Sequence, residues 1–296
     1  KTLHPKIYAG ILNKRKNISH KKQMKLYNYE NIDLVIVNFY PFEEILLKTK
    51  NQNIILENID IGGPSLARAA AKNFHDVTIV SSIDQYNELI QELINNKGAT
   101  SLKFRLNLSE EAFCQTSYYD SAVTNYFSKI TKNKFLRKKV VYGNLVEKLR
   151  YGENPHQKAA IYSFGKSLNL IQLHGKKLSF NNYNDLYSAL SLSKNLSKNL
   201  STVIVKHGNP CGVAIHKYKL DSFKNALACD PISSFGGIIS FNYKVSKKLA
   251  LELNKVFFEI IVGNGFDKDA TKILKKRKNI RIIDASNFKI NSFDNI

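Results

Sequence analysis

Lys206 and His207 stand side by side in the stretch Thr202-Val-Ile-Val-Lys-His-Gly-Asn-Pro-Cys211. An imidazole titrates near neutrality and can take up and return a proton, and a neighbouring ammonium is a fixed positive charge. Thr202 to Val205 reads as a buried strand, and Gly-Asn-Pro reads as the turn that closes it. Open α/β sheets bind ligands beyond the carboxyl ends of their strands, so this pair would face a substrate. The plain alternative is an exposed lysine beside an ordinary loop histidine.

Two further segments concentrate chemistry. Leu149-Arg-Tyr-Gly-Glu-Asn-Pro-His-Gln157 gathers a guanidinium, a phenol, a carboxylate, an amide and an imidazole into one loop. Arg150 offers a rigid fork of donors for phosphate or carboxylate, and Tyr151 a flat face or a hydroxyl. Taken alone, the segment could equally be a polar connector. Glu57-Asn-Ile-Asp-Ile-Gly-Gly-Pro-Ser-Leu-Ala-Arg-Ala-Ala-Ala-Lys-Asn73 reads as a helix from Pro64 onward, preceded by Gly62 and Gly63. Unpaired N–H groups at such a start form an anion site, with Asp60 just before it and Lys72 about two turns along. A Gly-Gly-Pro turn without a ligand is also common.

The elements that must position these groups alternate between β and α. Strands are expected at Asp33 to Asn38, Val77 to Val80, Ala159 to Tyr162, Thr202 to Val205, Gly237 to Phe241, Phe257 to Val262 and Ile280 to Ile283. Helices are expected near Phe42 to Thr49, Pro64 to Asn73, Ile83 to Asn95, Ser109 to Phe127, Tyr183 to Ser193, Ser246 to Asn254 and Lys268 to Lys276, with Ser109 as a candidate N-cap. Asp33 to Asn38 reads as a buried parallel strand. A boundary is expected in the basic, non-periodic Lys129 to Lys139 stretch. That gives two α/β domains, residues 1–134 and 135–296.

Composition sets outer bounds. The 43% hydrophobic content supports packed cores and excludes wholesale disorder. Cys114, Cys211 and Cys229 show no metal-ligand spacing and fit a reducing cytosol. No metal site and no membrane span is expected, since no apolar run approaches the ~18 residues a span needs. The net charge of +21 invites a nucleic-acid reading. The lysines, however, are spread along the chain, and the densest run, Lys272 to Lys278, reads as the solvated end of a helix. The charge is therefore taken as compositional, and no nucleic-acid partner is expected.

Together the motifs resemble one family, the bifunctional purine-biosynthesis enzyme AICAR transformylase/IMP cyclohydrolase. The matching stretches, in the family's order, are Lys1-Thr-Leu-His-Pro5 with Gly10 to Leu12, Asn38 to Phe42, Ile59 to Gly63 with Arg68 to Asn73, Arg150 to Gln157, Leu178 to Asn182, Lys206-His207 with Asn209 to Gly212, and Asp230 to Gly237. The resemblance implies a partial methylglyoxal-synthase-like doubly wound parallel-sheet domain. A partial cytidine-deaminase-like α/β transformylase domain follows. It also implies a chain truncated at both ends, not competent alone, from a cytoplasmic protein that is a homodimer at full length.

The implied reactions are formyl transfer from 10-formyltetrahydrofolate, the cosubstrate, to AICAR, and closure of the product FAICAR to IMP. The resemblance makes Lys206 and His207 catalytic in the first, and Lys1, Tyr40, Asp60 and Lys72 catalytic in the second. Substrate contacts carried over are Thr2, Asn38, Gly62 and Gly63 for ring closure. For the transferase they are Arg150, Tyr151, Asn182, Phe235, Gly236 and Glu259. Cys211, His4 and His156 read as packing or hydrogen-bonding residues. The chain departs from the family pattern at Tyr8, usually His, and at Gly263-Asn264, usually Ala-Pro, both expected near substrate. Two other readings stay open. One is a nucleic-acid binder, marked by basic residues on one face. The other is a non-catalytic phosphate-sensing module, tested by whether Asp60 and Lys72 converge on the Gly62-Gly63 turn.

Overall fold

The structure is a computed structural model that describes residues 3–133, 135–164, 167–196 and 199–288. It divides into two compact units, Lys1–Tyr142 and Gly143–Ile296. Lys1 and Thr2 lie outside the described residues.

The first unit runs α1 (Pro5–Leu12), α2 (Ile18–Leu26), β1 (Leu34–Ile36), α3 (Phe42–Lys48), α4 (Gln52–Glu57), α5 (Gly62–Lys72), β2 (Thr78–Val80), α6 (Tyr86–Asn95) and α7 (Leu102–Thr131). β1 and β2 pair in parallel, Val35 opposite Ile79. Of the three residues of β1 only Val35 is buried, whereas Leu34 and Ile36 are exposed. The buried strand expected there is therefore covered on one face alone. The core forms where the alanines of α5 (Ala67, Ala70, Ala71) meet Leu108 and Ala112 of α7 and Ile79 of β2. Small side chains let the two helices approach closely, and Ser109 donates its hydroxyl to the Ala71 carbonyl at 2.7 Å. Ser109 is thus not an N-cap. Ser101 caps α7 instead, accepting from the Phe104 N–H at 3.2 Å.

The second unit opens with a hairpin of β3 (Asn144–Lys148) and β4 (Ala160–Ser163). It continues β5 (Ile171–His174), α8 (Phe180–Asn195), β6 (Leu200–Lys206), β7 (Asn209–His216), α9 (Lys219–Cys229), α10 (Pro231–Ser234), β8 (Ile238–Phe241), α11 (Lys247–Leu253), β9 (Ile260–Gly263), α12 (Lys268–Leu274) and β10 (Arg281–Asp284). Six strands form one mixed sheet in the order β5-β10-β9-β8-β6-β7. β8, β9 and β10 are parallel, while β6 runs antiparallel to both β8 and β7.

Period-two alternation sorts the strand residues between two layers. Ile204, Ile239, Phe241, Ile261 and Ile282 face Phe223, Leu249, Phe258 and Leu274, on the side of α9, α11 and α12. Val203, Val205, Ile238, Ile260, Val262 and Ile283 face Leu186, Ala189 and Leu190 of α8. Each fully buried Val, Leu, Ile or Phe side chain among these contributes about 1.5–3 kcal/mol. Gly212 of β7 is held by this packing, because a Cβ there would run into the Ala226 carbonyl oxygen. Gly212→Ala is expected to destabilise the full-length protein by about 1–3 kcal/mol, seen as a lowered thermal midpoint. An unchanged midpoint contradicts that packing.

Candidate active site

The turn after β6 is tighter than the sequence suggests. Lys206 pairs with Asn209, so His207 and Gly208 alone make the turn, with φ of 53° and 76°. Two consecutive positive φ values are the mark of a two-residue hairpin that matches strand twist. Asn209 and Pro210 accordingly begin β7 and do not belong to the turn, which corrects the expected Gly-Asn-Pro break. The rule that placed a ligand here also changes. β6 is antiparallel to β8, with Val205 opposite Ile238, and Ile238, Ile260 and Arg281 lie side by side. Lys206 and His207 therefore sit at the amino ends of the parallel strands, not at a carboxyl-end crevice.

That rim collects most of the expected transferase residues. The Lys206 ammonium donates to the Phe235 carbonyl at 2.9 Å. Phe235 and Gly236 follow the short helix α10, whose N-terminal Asp230 accepts from the Ser233 N–H at 2.9 Å. Hydrogen bonds from Ser233, with Lys206 nearby, hold the Asp230 carboxyl below the usual carboxylate range. Gly236, at a φ of 78°, donates to the Phe257 carbonyl, and Glu259 donates its N–H to the Gly237 carbonyl at 3.0 Å. Asn182, buried at the start of α8, donates to Glu259 Oε1 at 3.0 Å, and Arg281 donates to the same oxygen at 2.9 Å.

Arg150 and Tyr151 lie in the β3–β4 connection, where Gly152 donates to the Gln157 carbonyl at 2.8 Å and Gln157 Oε1 accepts from the Asn154 N–H. Among the described residues no hydrogen bond joins Arg150 or Tyr151 to Lys206 or His207. The hairpin is instead tied to α8 by the Tyr183 hydroxyl, which donates to Glu147 at 3.0 Å. Burial, then this carboxylate, pushes the Tyr183 phenol up to about 12.

In the first unit, Asp60 organises the start of α5. Its Oδ1 accepts from the Gly63 N–H at 2.8 Å and its Oδ2 from the Tyr40 N–H at 3.3 Å. The helix consequently begins at Gly62, two residues before the expected Pro64, and the anion position at its N-terminus is filled by the chain's own carboxylate. The Asp60 N–H donates to the buried Tyr119 hydroxyl at 2.7 Å, and burial raises that phenol's pKa. Asn38 donates to the Tyr86 hydroxyl at 2.8 Å, and Tyr8 donates to Ser65 at 2.7 Å, on the first turns of α5. Asn38, Tyr40, Asp60, Gly62 and Gly63 are thereby gathered where β1 ends and α5 begins. Lys72 is not among them. It is exposed at the opposite end of α5, about 15 Å along the axis from Gly62 at 1.5 Å per residue.

Other expectations resolve locally. Gly263-Asn264 lies at the carboxyl end of β9, across the sheet from His207. There a Cβ on Gly263 would crowd Val245, and Asn264 accepts from Lys194 at 3.1 Å. Burial lowers the Lys194 pKa. This departure therefore sits away from the Lys206–His207 rim. Cys211 packs against the core, and His4 caps α1 by accepting from the Lys6 N–H at 3.1 Å. Among the described residues no group of three or more His, Cys, Asp or Glu could hold a metal ion, and no helix is long and apolar enough to cross a membrane. Sequence reasoning missed Asp185, Arg281, Tyr119 and Tyr86. The only signal for Asp185 is its place three residues beyond Asn182, on the same helical face.

Comparison with known proteins agrees with the motifs. The bifunctional purine biosynthesis protein PurH of Acetivibrio thermocellus is 43% identical over 290 residues, covering 96% of this chain and 56% of that protein. PurH of Prochlorococcus marinus strain MIT 9515 is 45% identical over 300 residues, covering 96% and 56%. PurH of Thermoanaerobacter sp. strain X514 is 44% identical over 292 residues, with the same coverage of 96% and 56%. The chain thus spans little more than half the length of these relatives. A family model described as AICARFT/IMPCHase bienzyme matches residues 70–294. With three quarters of its length inside that match, the chain belongs to the AICARFT/IMPCHase bienzyme family.

Proposed function

We propose that the full-length protein carries out two successive steps of purine nucleotide synthesis. It transfers a formyl group from 10-formyltetrahydrofolate to the 5-amino group of AICAR, and it closes the product FAICAR to IMP. The observation that carries this reading is the rim of the second unit. Lys206, His207, Asn182, Phe235, Gly236 and Glu259 converge there in a chain of this family.

In the transfer, the AICAR amine attacks the formyl carbon. The amine is a weak nucleophile, because the neighbouring carboxamide withdraws electron density, so its proton must leave as the N–C bond forms. His207 takes that proton and delivers it to the folate nitrogen as the C–N bond breaks. Lys206 stabilises the oxyanion between these events. Its resting bond to the Phe235 carbonyl holds the charge beside the Phe235-Gly236 segment, proposed to lie against the base and folate. Arg150, Tyr151, Asn182 and Glu259 hold the nucleotide.

Ring closure is assigned to the first unit. The carboxamide nitrogen attacks the formyl carbon, and water leaves. Both reacting groups belong to one molecule, so this step is intrinsically the easier one and draws the first forward. Tyr40 and Asp60 act with Asn38, Gly62 and Gly63 as substrate contacts. Lys1 and Thr2 enter on the family pattern, as does Lys72, which α5 carries away from Asp60.

The units correspond, in this reading, to a methylglyoxal-synthase-like cyclohydrolase (expected as 1–134) and a cytidine-deaminase-like transformylase (135–296). We take the protein to be a cytoplasmic homodimer acting on small nucleotides and not on nucleic acid. Duplex DNA binding that survives high salt would count against this.

The test is direct. The full-length protein, given AICAR and 10-formyltetrahydrofolate, is expected to release tetrahydrofolate and form IMP, both followed by absorbance. No tetrahydrofolate release overturns the reading.

A further inference from the structure

His207 is a side-chain-bearing residue in the left-handed region, at a φ of 53°, a conformation sparsely populated outside glycine. It heads a two-residue turn at the sheet's rim and is itself exposed. Little packing of its own holds it there, so something else must. The holder is Asp185 of α8. One carboxylate oxygen accepts from the His207 N–H at 3.2 Å and the other from the Gly208 N–H at 2.6 Å. Both backbone donors at the apex of the turn thus end on one carboxylate, and hydrogen bonds to an ionised acceptor are the strong kind.

The base of that anchor is rigid. Leu186, Ala189 and Leu190, on the turns after Asp185, are buried against the sheet. At the start of the same helix, Ser179 and Asn182 form a reciprocal capping box, with Asn182 N–H to Ser179 Oγ at 3.2 Å and Ser179 N–H to Asn182 Oδ1 at 3.1 Å. The Asn182 amide still reaches Glu259 at 3.0 Å. Asn182 and Asp185 are three residues apart, so they share a face of the helix. One holds the carboxylate proposed to contact the nucleotide. The other holds the turn proposed to carry the proton.

We infer that Asp185 is a positioning residue for formyl transfer. It fixes the His207–Gly208 turn to α8, and so sets the place of the imidazole relative to Glu259. This rests on the transferase reading of the rim. Asp185 takes no part in the chemistry, and its loss acts through His207. A displacement of about 1 Å in a catalytic group can cost on the order of 10²-fold in rate, so the effect belongs in kcat.

The experiment compares the full-length protein with Asp185→Ala and Asp185→Asn. Asp185→Ala is expected to lower kcat for formyl transfer by about 10- to 100-fold, with KM for AICAR nearly unchanged. Asp185→Asn keeps an acceptor oxygen for the Gly208 N–H and is expected to recover part of the loss. Amide exchange across residues 206–209 is expected to quicken in Asp185→Ala and less in Asp185→Asn. A kcat at the parent value, a loss confined to KM, or equal losses in both variants with a fallen thermal midpoint overturns the inference. If the parent itself transfers no formyl group, the functional reading fails separately. Amide exchange then decides the anchor, and unchanged exchange in Asp185→Ala refutes it.

Discussion

Replacement of His207 by alanine is expected to slow formyl transfer by the full-length protein about 10²- to 10⁴-fold, or about 3–5 kcal/mol of transition-state stabilisation. An imidazole is suited to taking up and returning a proton, and that of His207 projects from a turn whose backbone N–H groups are held by Asp185. AICAR binding is expected to survive, because Asn182, Glu259 and Arg281 form their own hydrogen-bonded cluster without it. Lys206 also keeps its bond to the Phe235 carbonyl. The measurement is single-turnover transfer beside AICAR affinity for the same variant. Near-parental transfer removes His207 from the mechanism. A matching loss of affinity makes it a binding residue instead. Ring closure of supplied FAICAR serves as the internal control, since that reaction is assigned to the other unit.

The second large effect is expected at Asp60. Asp60→Ala should lower ring closure by about 10²-fold or more, the range of a positioned acid–base group. It should also cost about 0.5–2 kcal/mol of stability, the worth of a helix cap. The two losses have separate origins. Oδ1 satisfies the Gly63 N–H at the start of α5, whereas Oδ2 draws in the Tyr40 backbone. Asp60→Asn separates them. Its carbonyl oxygen can still serve Gly63, but its amide group then opposes the Tyr40 N–H, donor against donor. Stability should be largely retained in that variant while ring closure falls. If both variants unfold more easily yet close FAICAR at the parental rate, Asp60 is a cap and nothing more.

Much of the second unit was legible in the sequence. The strands at 238–241, 260–263 and 281–284 each hold consecutive β-branched residues (Ile238-Ile239, Ile260 to Val262, Ile282-Ile283), and such runs report burial on both faces. The helices that cover them carry their caps in the sequence, as Ser246 does for α11. β3, β5 and β7 escaped because they lie at edges. β3 exposes most of its side chains and β5 half of them, and β7 begins with Asn209-Pro210, which reads locally as a turn. The start of α5 was misplaced by two residues for a related reason. Gly-Gly reads as a break until a carboxylate from Asp60 is seen to take its N–H.

The sequence by itself determined which chemical groups this protein carries, in what order, and hence its family, because residue type and spacing are local properties. It could not determine which of them meet. Asp185 reaching the His207 turn, Arg281 and Asn182 sharing one oxygen of Glu259, and Lys72 parting from Asp60 along a helix are matters of strand direction and helix length. Those are decided only when separate segments pack. The antiparallel pairing of β6 with β8 put the lysine and histidine at the amino ends of the parallel strands, and no stretch of sequence shorter than the whole sheet contains that fact.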